Sequence, residues 1–77
     1  MDNEKRPNKN LLIYDFTEPE LRFLRHECNF GEDELEYFNL RAKHFNNLQI
    51  AMKMNISEGK VSVLAKKVKN KIKRVLS

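Results

Sequence analysis

The side chains of this sequence that could do chemistry as a group are the cations of its C-terminal half. Residues 41–77 carry ten Lys or Arg and one acid, Glu58, which gives them a net charge of +9. Residues 1–40 carry ten acids and five bases, a net charge of −5. Such a concentration of positive charge on one half of a chain predicts a polyanionic partner for that half. The acidic half is suited to protein contact, or to keeping the opposite face away from nucleic acid.

The other reactive side chains do not form a catalytic or metal-binding pattern. His26 and His44 have no partners at metal-ligand spacing. Cys28 lies two residues from His26 on a predicted helix, so their side chains lie on different faces. One acidic run is typical of a helix start and frames no pocket; it comprises Glu32, Asp33, Glu34 and Glu36. We therefore predict no enzyme activity, no metal and no cofactor.

Length and composition restrict the class of protein further. The chain has 77 residues, which fits one small domain. Its single cysteine, Cys28, excludes a disulfide within the chain and is typical of a reducing compartment. No apolar run approaches the roughly 18 residues of a membrane span, and the N-terminus lacks the apolar core of a signal peptide. The sequence predicts a cytoplasmic protein.

Helix-start signals divide the chain into an N-terminal arm and four helices. Thr17, with Glu20 three residues later, forms a capping-box pattern that starts the first helix, which we expect to end near Asn29. A second helix is expected to start in the acidic run and to end near Lys43, where cations favour the helix C-terminus. Residues 1–16 are predicted to be a flexible arm, in which the apolar run 11–14 either packs over the helices or forms a short strand.

The third and fourth predicted helices are joined by a tight turn. Asn46 and Gln49 form a second capping-box pattern, Asn55 tolerates a left-handed turn, and Ser57 is a good N-cap for the last helix. That helix carries an apolar stripe of Val61, Leu64, Val68, Ile72 and Val75. The predicted fold is all-α: residues 17–77 form a small four-helix bundle with a C-terminal helix-turn-helix. The expected core comprises Leu21, Leu24, Phe38, Leu48, Ala51, Ile56, Val61 and Leu64.

The segment around the tight turn resembles the helix-turn-helix of bacterial transcription factors. The residues that carry the resemblance, and that would lock the two helices together, are Ile50, Ala51, Met54, Ile56, Val61 and Leu64, with Asn55 at the turn. One segment looks most like region four of bacterial sigma factors, to which response-regulator output domains are related; it is Ile56-Ser57-Glu58-Gly59-Lys60-Val61. These families usually have glycine where this chain has Asn55. The resemblance implies a small DNA-binding transcriptional regulator of bacterial or phage type.

By the register of this resemblance, the last helix would enter the major groove of DNA. The expected base-edge positions are Glu58, Gly59, Ser62, Val63 and Lys66. The expected phosphate contacts are Asn46, Asn47, Lys60, Lys67, Lys69 and Lys73. Sigma factors usually place Arg and Gln at the base-reading positions, and this chain does not.

Three alternatives remain open from the sequence. The acidic half could dock on RNA polymerase or another regulator. A homodimer could form if one apolar seam paired two copies of the last helix; the seam comprises Val61, Ala65, Val68, Ile72 and Val75. Peripheral membrane binding by the basic helix is disfavoured, because its apolar stripe is needed for the core and it has no Trp or Phe.

Overall fold

The computed structural model describes residues 13–77, and this part of the chain is all-helical, without a β-strand. A short 3₁₀ turn, Ile13–Asp15, precedes four α-helices: α1 (Glu18–Glu27), α2 (Glu32–Ala42), α3 (Asn47–Met54) and α4 (Glu58–Leu76). The predicted all-α class and the four helices are confirmed, although α1 ends two residues before the expected Asn29. Within the described residues, no helix has both the length and the apolar character that a membrane span requires.

The predicted N-caps are confirmed by hydrogen bonds. The backbone N–H of Thr17 donates to Glu20 Oε1 at 2.7 Å, and Thr17 Oγ1 accepts from the backbone N–H of Glu20 at 3.4 Å. At α2 the cap is one-sided, because the backbone N–H of Gly31 donates to Glu34 Oε1 at 2.8 Å but glycine has no side chain to reciprocate. Local sequence therefore sets where these helices begin.

The connection between α3 and α4 is as short as the sequence predicts. Asn55 has the left-handed conformation, with φ 60° and ψ 47°. The N–H of Ile56 donates to the Ala51 carbonyl at 3.0 Å, which is the bond that closes a Schellman-type helix ending. Ser57 Oγ then accepts from the N–H of Lys60 at 3.1 Å and caps α4. Three residues thus end one helix and start the next.

The core lies along the inner face of α4, which packs against each of the other helices. Val61, Val68 and Ile72 are completely buried, together with Phe38 of α2 and Ile50 of α3. Val61, Val68 and Ile72 belong to the seam considered for a homodimer and are covered by the chain's own helices, whereas Ala65 and Val75 of that seam are only partly buried.

The expected core needs two corrections. Leu48 was predicted to be buried, but 55% of it is exposed, because it lies in the first turn of α3 on the side that faces away from α4. Tyr37 was not predicted, yet it is buried beside Phe38. Ile56 is only partly buried, although it packs against the core as expected.

The described part of the N-terminal arm packs on α2. Ile13 is buried in the core, and the Tyr14 ring lies 4.7 Å from the His44 ring and 5.4 Å from the Arg41 guanidinium. Of the two alternatives for this run, Ile13 and Tyr14 therefore pack over the helices and do not form a strand. The remainder of the predicted arm, residues 1–12, lies outside the described residues.

Candidate functional site

The outer face of α4 carries a continuous polar and basic stripe. Ser62, Lys66, Lys69 and Lys73 are spaced four, three and four residues apart, so they lie along one side of the helix. Ser62, Lys66 and Lys73 are exposed and Lys69 is half-buried. We call these four residues the basic stripe. It runs along one side of α4, next to the completely buried face, so core packing fixes its orientation.

A second row of cations on α4 lies beside the acidic start of α2. Lys71 Nζ contacts Glu34 Oε1 at 2.6 Å and also donates to the Asn29 carbonyl at 3.4 Å. Lys67 lines a concavity of about 290 Å³ whose other walls are Gly31, Glu32, Asp33, Glu34 and Leu64. Lys67, which we predict to contact phosphate, therefore lies beside three carboxylates on this side of the molecule.

The electrostatics of Glu34 reflect this arrangement. The hydrogen bond from Lys71 lowers the pKa of Glu34, and the backbone N–H of Gly31 acts in the same direction. The nearby charge of Lys67 lowers the pKa further. The Glu34 side chain is 13% exposed and that of Lys71 29%, so this ion pair is largely shielded from solvent. It joins two helices whose paired residues are 37 positions apart in sequence.

The predicted base-edge residues lie together at the start of α4. Glu58 and Gly59 occupy the first two helical positions, and Ser62 and Val63 follow one turn later. These four residues are exposed, as is Lys66. The set contains no Arg, Gln or Asn, and Lys66 is its one side chain that could donate two hydrogen bonds to guanine. The set offers one carboxylate, one hydroxyl, one ammonium and one apolar side chain.

The start of α3 carries Asn46 and Asn47, the two asparagines that we predict to contact phosphate. Asn46 Oδ1 accepts from the N–H of Gln49 at 2.8 Å, and the N–H of Asn46 donates to Gln49 Oε1 at 2.9 Å. This capping box occupies both the backbone donor and the side-chain oxygen of Asn46. Asn47 is exposed in the first turn of α3, where helix N–H groups have no partner within the helix. It is the better placed of the two to meet a phosphate.

An apolar surface on α3 was missed by the sequence analysis. Leu48 and Met52 lie one turn apart on its outer side, and 73% of Met52 is exposed. Beside them is an open groove of about 300 Å³ lined by Phe45, Gln49, Met52 and Lys53. The sequence signal for this surface was the apolar character of Leu48, which we assigned to the core, and of Met52.

The remaining reactive side chains are engaged locally. His26 Nδ1 lies 3.1 Å from Glu27 Oε2 on the surface of α1, and His44 packs on Tyr14. Cys28 is buried, and burial raises the pKa of its thiol. Among residues 13–77, no three His, Cys, Asp or Glu side chains come together in a way that would hold a metal ion.

Comparison of the chain with protein-family models, curated proteins and solved structures gives no significant match.

Proposed function

We propose that this chain is a small DNA-binding transcriptional regulator that places the start of α4 in the major groove, in the manner of sigma region four. In this proposal α3, the Asn55 turn and α4 form the helix-turn-helix. The base-edge residues at the start of α4 face the groove, and lysines of α4 meet the phosphates on either side.

The observation that carries the proposal is the basic stripe. Its three lysines lie along one side of a helix whose inner face is buried, so the cations are presented as an ordered row. Lysines that neutralise DNA phosphates release condensed counterions, which supplies affinity without any base contact. The acidic residues of α1 and α2 belong to other elements and do not interrupt the row.

The position of the two helices supports the same reading. Ala51 is buried where α3 meets α4, and its small side chain permits close approach of the helices. The three-residue connection then fixes the start of α4 relative to α3. The inner face of α4 is held by the core, and the first turn of α4 is exposed. A helix placed in this way can enter a DNA groove with its N-terminal end.

The experiment that tests the proposal is binding to random-sequence duplex DNA over a salt series, followed by fluorescence anisotropy. The logarithm of affinity should fall linearly with the logarithm of salt, with a slope of about −0.9 for each phosphate neutralised. Lys66→Gln should reduce the slope by about 1. Its neighbour supplies the matched control, because Lys67 is directed toward the acidic start of α2 and Lys67→Gln should change the slope little.

A second control removes the same charge from the acidic half. Arg22 is exposed on α1, and Arg22→Gln should leave the slope unchanged. If wild-type protein does not bind duplex DNA at low salt, the proposal is wrong. Equal losses in Lys66→Gln and Arg22→Gln would show that net charge, and not the basic stripe, determines binding.

A further inference from the structure

Gly59 occupies a helical position where the chain itself has no need of glycine. Among residues 13–77, a Cβ atom at this position would meet only Ser57 Oγ, at 3.9 Å, which is an ordinary contact. Its φ is not in the left-handed region that favours glycine. Glycine weakens a helix relative to alanine. Neither packing nor backbone geometry therefore explains glycine at residue 59, whereas close approach of a partner would.

Val63 lies one turn further along the same exposed face. It is 53% exposed although it is apolar, and it follows Gly59 by four residues, so the two are neighbours on the helix surface. Ser62 and Lys66 lie on one side of this pair, and Lys60 lies on the other. The helix thus presents a narrow uncharged strip, formed by Gly59 and Val63, with a cation on each side.

This arrangement matches the cross-section of a DNA major groove. The groove has phosphates along both walls and base edges on its floor, and the C5-methyl of thymine is the apolar group displayed there. Cations at the two sides of the strip suit the walls, and an apolar side chain in the middle suits the methyl. The absence of a side chain at residue 59 lets the helix axis come close enough for Val63 to reach the floor.

We propose that Gly59 and Val63 read thymine methyl groups, so that this chain selects thymine-containing duplex DNA by apolar contact and not by bidentate hydrogen bonds. The inference rests on the proposed function and assigns its ligand class. Duplex RNA is excluded as the ligand, because its major groove is deep and narrow and its uracil lacks the methyl.

The test compares an A·T-rich DNA duplex with the same duplex in which every thymine is replaced by uracil. For the wild-type protein, removal of each contacted methyl should lower affinity by about fourfold, the scale set by burying one CH₂ group. Val63→Ala should bind both duplexes with nearly equal affinity. Leu76→Ala removes an exposed apolar side chain from the other end of α4 and should keep the wild-type preference.

Gly59 provides an independent variant whose stability and binding should change in opposite directions. Gly59→Ala should raise the melting temperature, because alanine favours the helix and meets no steric obstacle within the described part of the chain. It should also reduce the ratio of affinities for the thymine and uracil duplexes. If residue 59 had only a structural role, Gly59→Ala would change the melting temperature and leave the ratio of affinities unchanged.

The outcomes distinguish the two proposals. Equal affinity of wild-type protein for the thymine and uracil duplexes, with salt-dependent binding intact, would overturn the thymine reading and leave DNA binding standing. Absence of binding to either duplex at low salt would overturn both. A wild-type preference that survives in both Val63→Ala and Gly59→Ala would assign thymine reading to other residues and overturn this inference.

Discussion

At the scale of single residues, the conformation of the α3–α4 connection depends on Asn55. This residue is exposed and left-handed, so its contribution to stability comes from backbone conformation and not from burial. Residues with a branched Cβ are strained in this region, whereas glycine is not and asparagine is better tolerated than most. The expectation that Asn55 forms the turn could be made from the sequence because the conformational preference is local.

Asn55→Val should lower the free energy of unfolding by about 1–2 kcal/mol, since a β-branched residue disfavours the left-handed conformation. Asn55→Gly, the matched variant, should retain wild-type stability or exceed it slightly. Urea unfolding followed by circular dichroism measures both. If Asn55→Val were as stable as Asn55→Gly, backbone strain at the turn would not determine the stability of this connection.

At the scale of elements, the Glu34–Lys71 ion pair ties the start of α2 to the C-terminal half of α4. Glu34 also caps α2 by accepting from the N–H of Gly31. Glu34→Gln retains an oxygen that can accept this cap bond and removes the charge. The variant therefore isolates the ion pair from the cap.

Glu34→Gln should lower the free energy of unfolding by about 1 kcal/mol near neutral pH, the scale of a hydrogen-bonded ion pair that is partly shielded from water. Because the pKa of Glu34 is lowered in the folded state, this stabilisation is complete above the pKa of an unfolded glutamate. It disappears as the pH falls through the lower, folded-state pKa.

Urea unfolding of both proteins over a range of acidic and neutral pH measures the effect. The difference between wild type and Glu34→Gln should shrink to zero on acidification. A difference that stays constant across this range would mean that the charge of Glu34 contributes nothing and that the loss comes from packing.

Helix caps could be predicted from the sequence, whereas contacts between helices could not. The caps at Thr17, Asn46 and Ser57 were predictable because each depends on residues within three positions of it. Leu48 was misplaced because helical spacing marks an apolar face but does not tell which residues of the first turn a neighbouring helix covers. The Glu34–Lys71 pair could not be predicted, because no local pattern joins residues so far apart in sequence.

At the scale of the whole molecule, the separation of charge seen in the sequence becomes a separation of elements. Acidic residues occupy α1 and the first half of α2, and α4 carries most of the lysines. The two sets meet where Lys67 and Lys71 lie beside the start of α2, and the basic stripe lies on the other side of α4. The expectation of a basic, polyanion-directed half followed from composition, but which lysines face outward required the packing of α4.

The most direct test of the central claim is an NMR titration of the isotope-labelled chain with duplex DNA. Backbone amide shifts should change most from Ser57 to Lys73 along the exposed side of α4, and at Asn47 at the start of α3. Amides of α1 and of the first turn of α2 should change little. Shift changes centred on α1 and the acidic start of α2, or no changes at low salt, would contradict the placement of α4 on DNA.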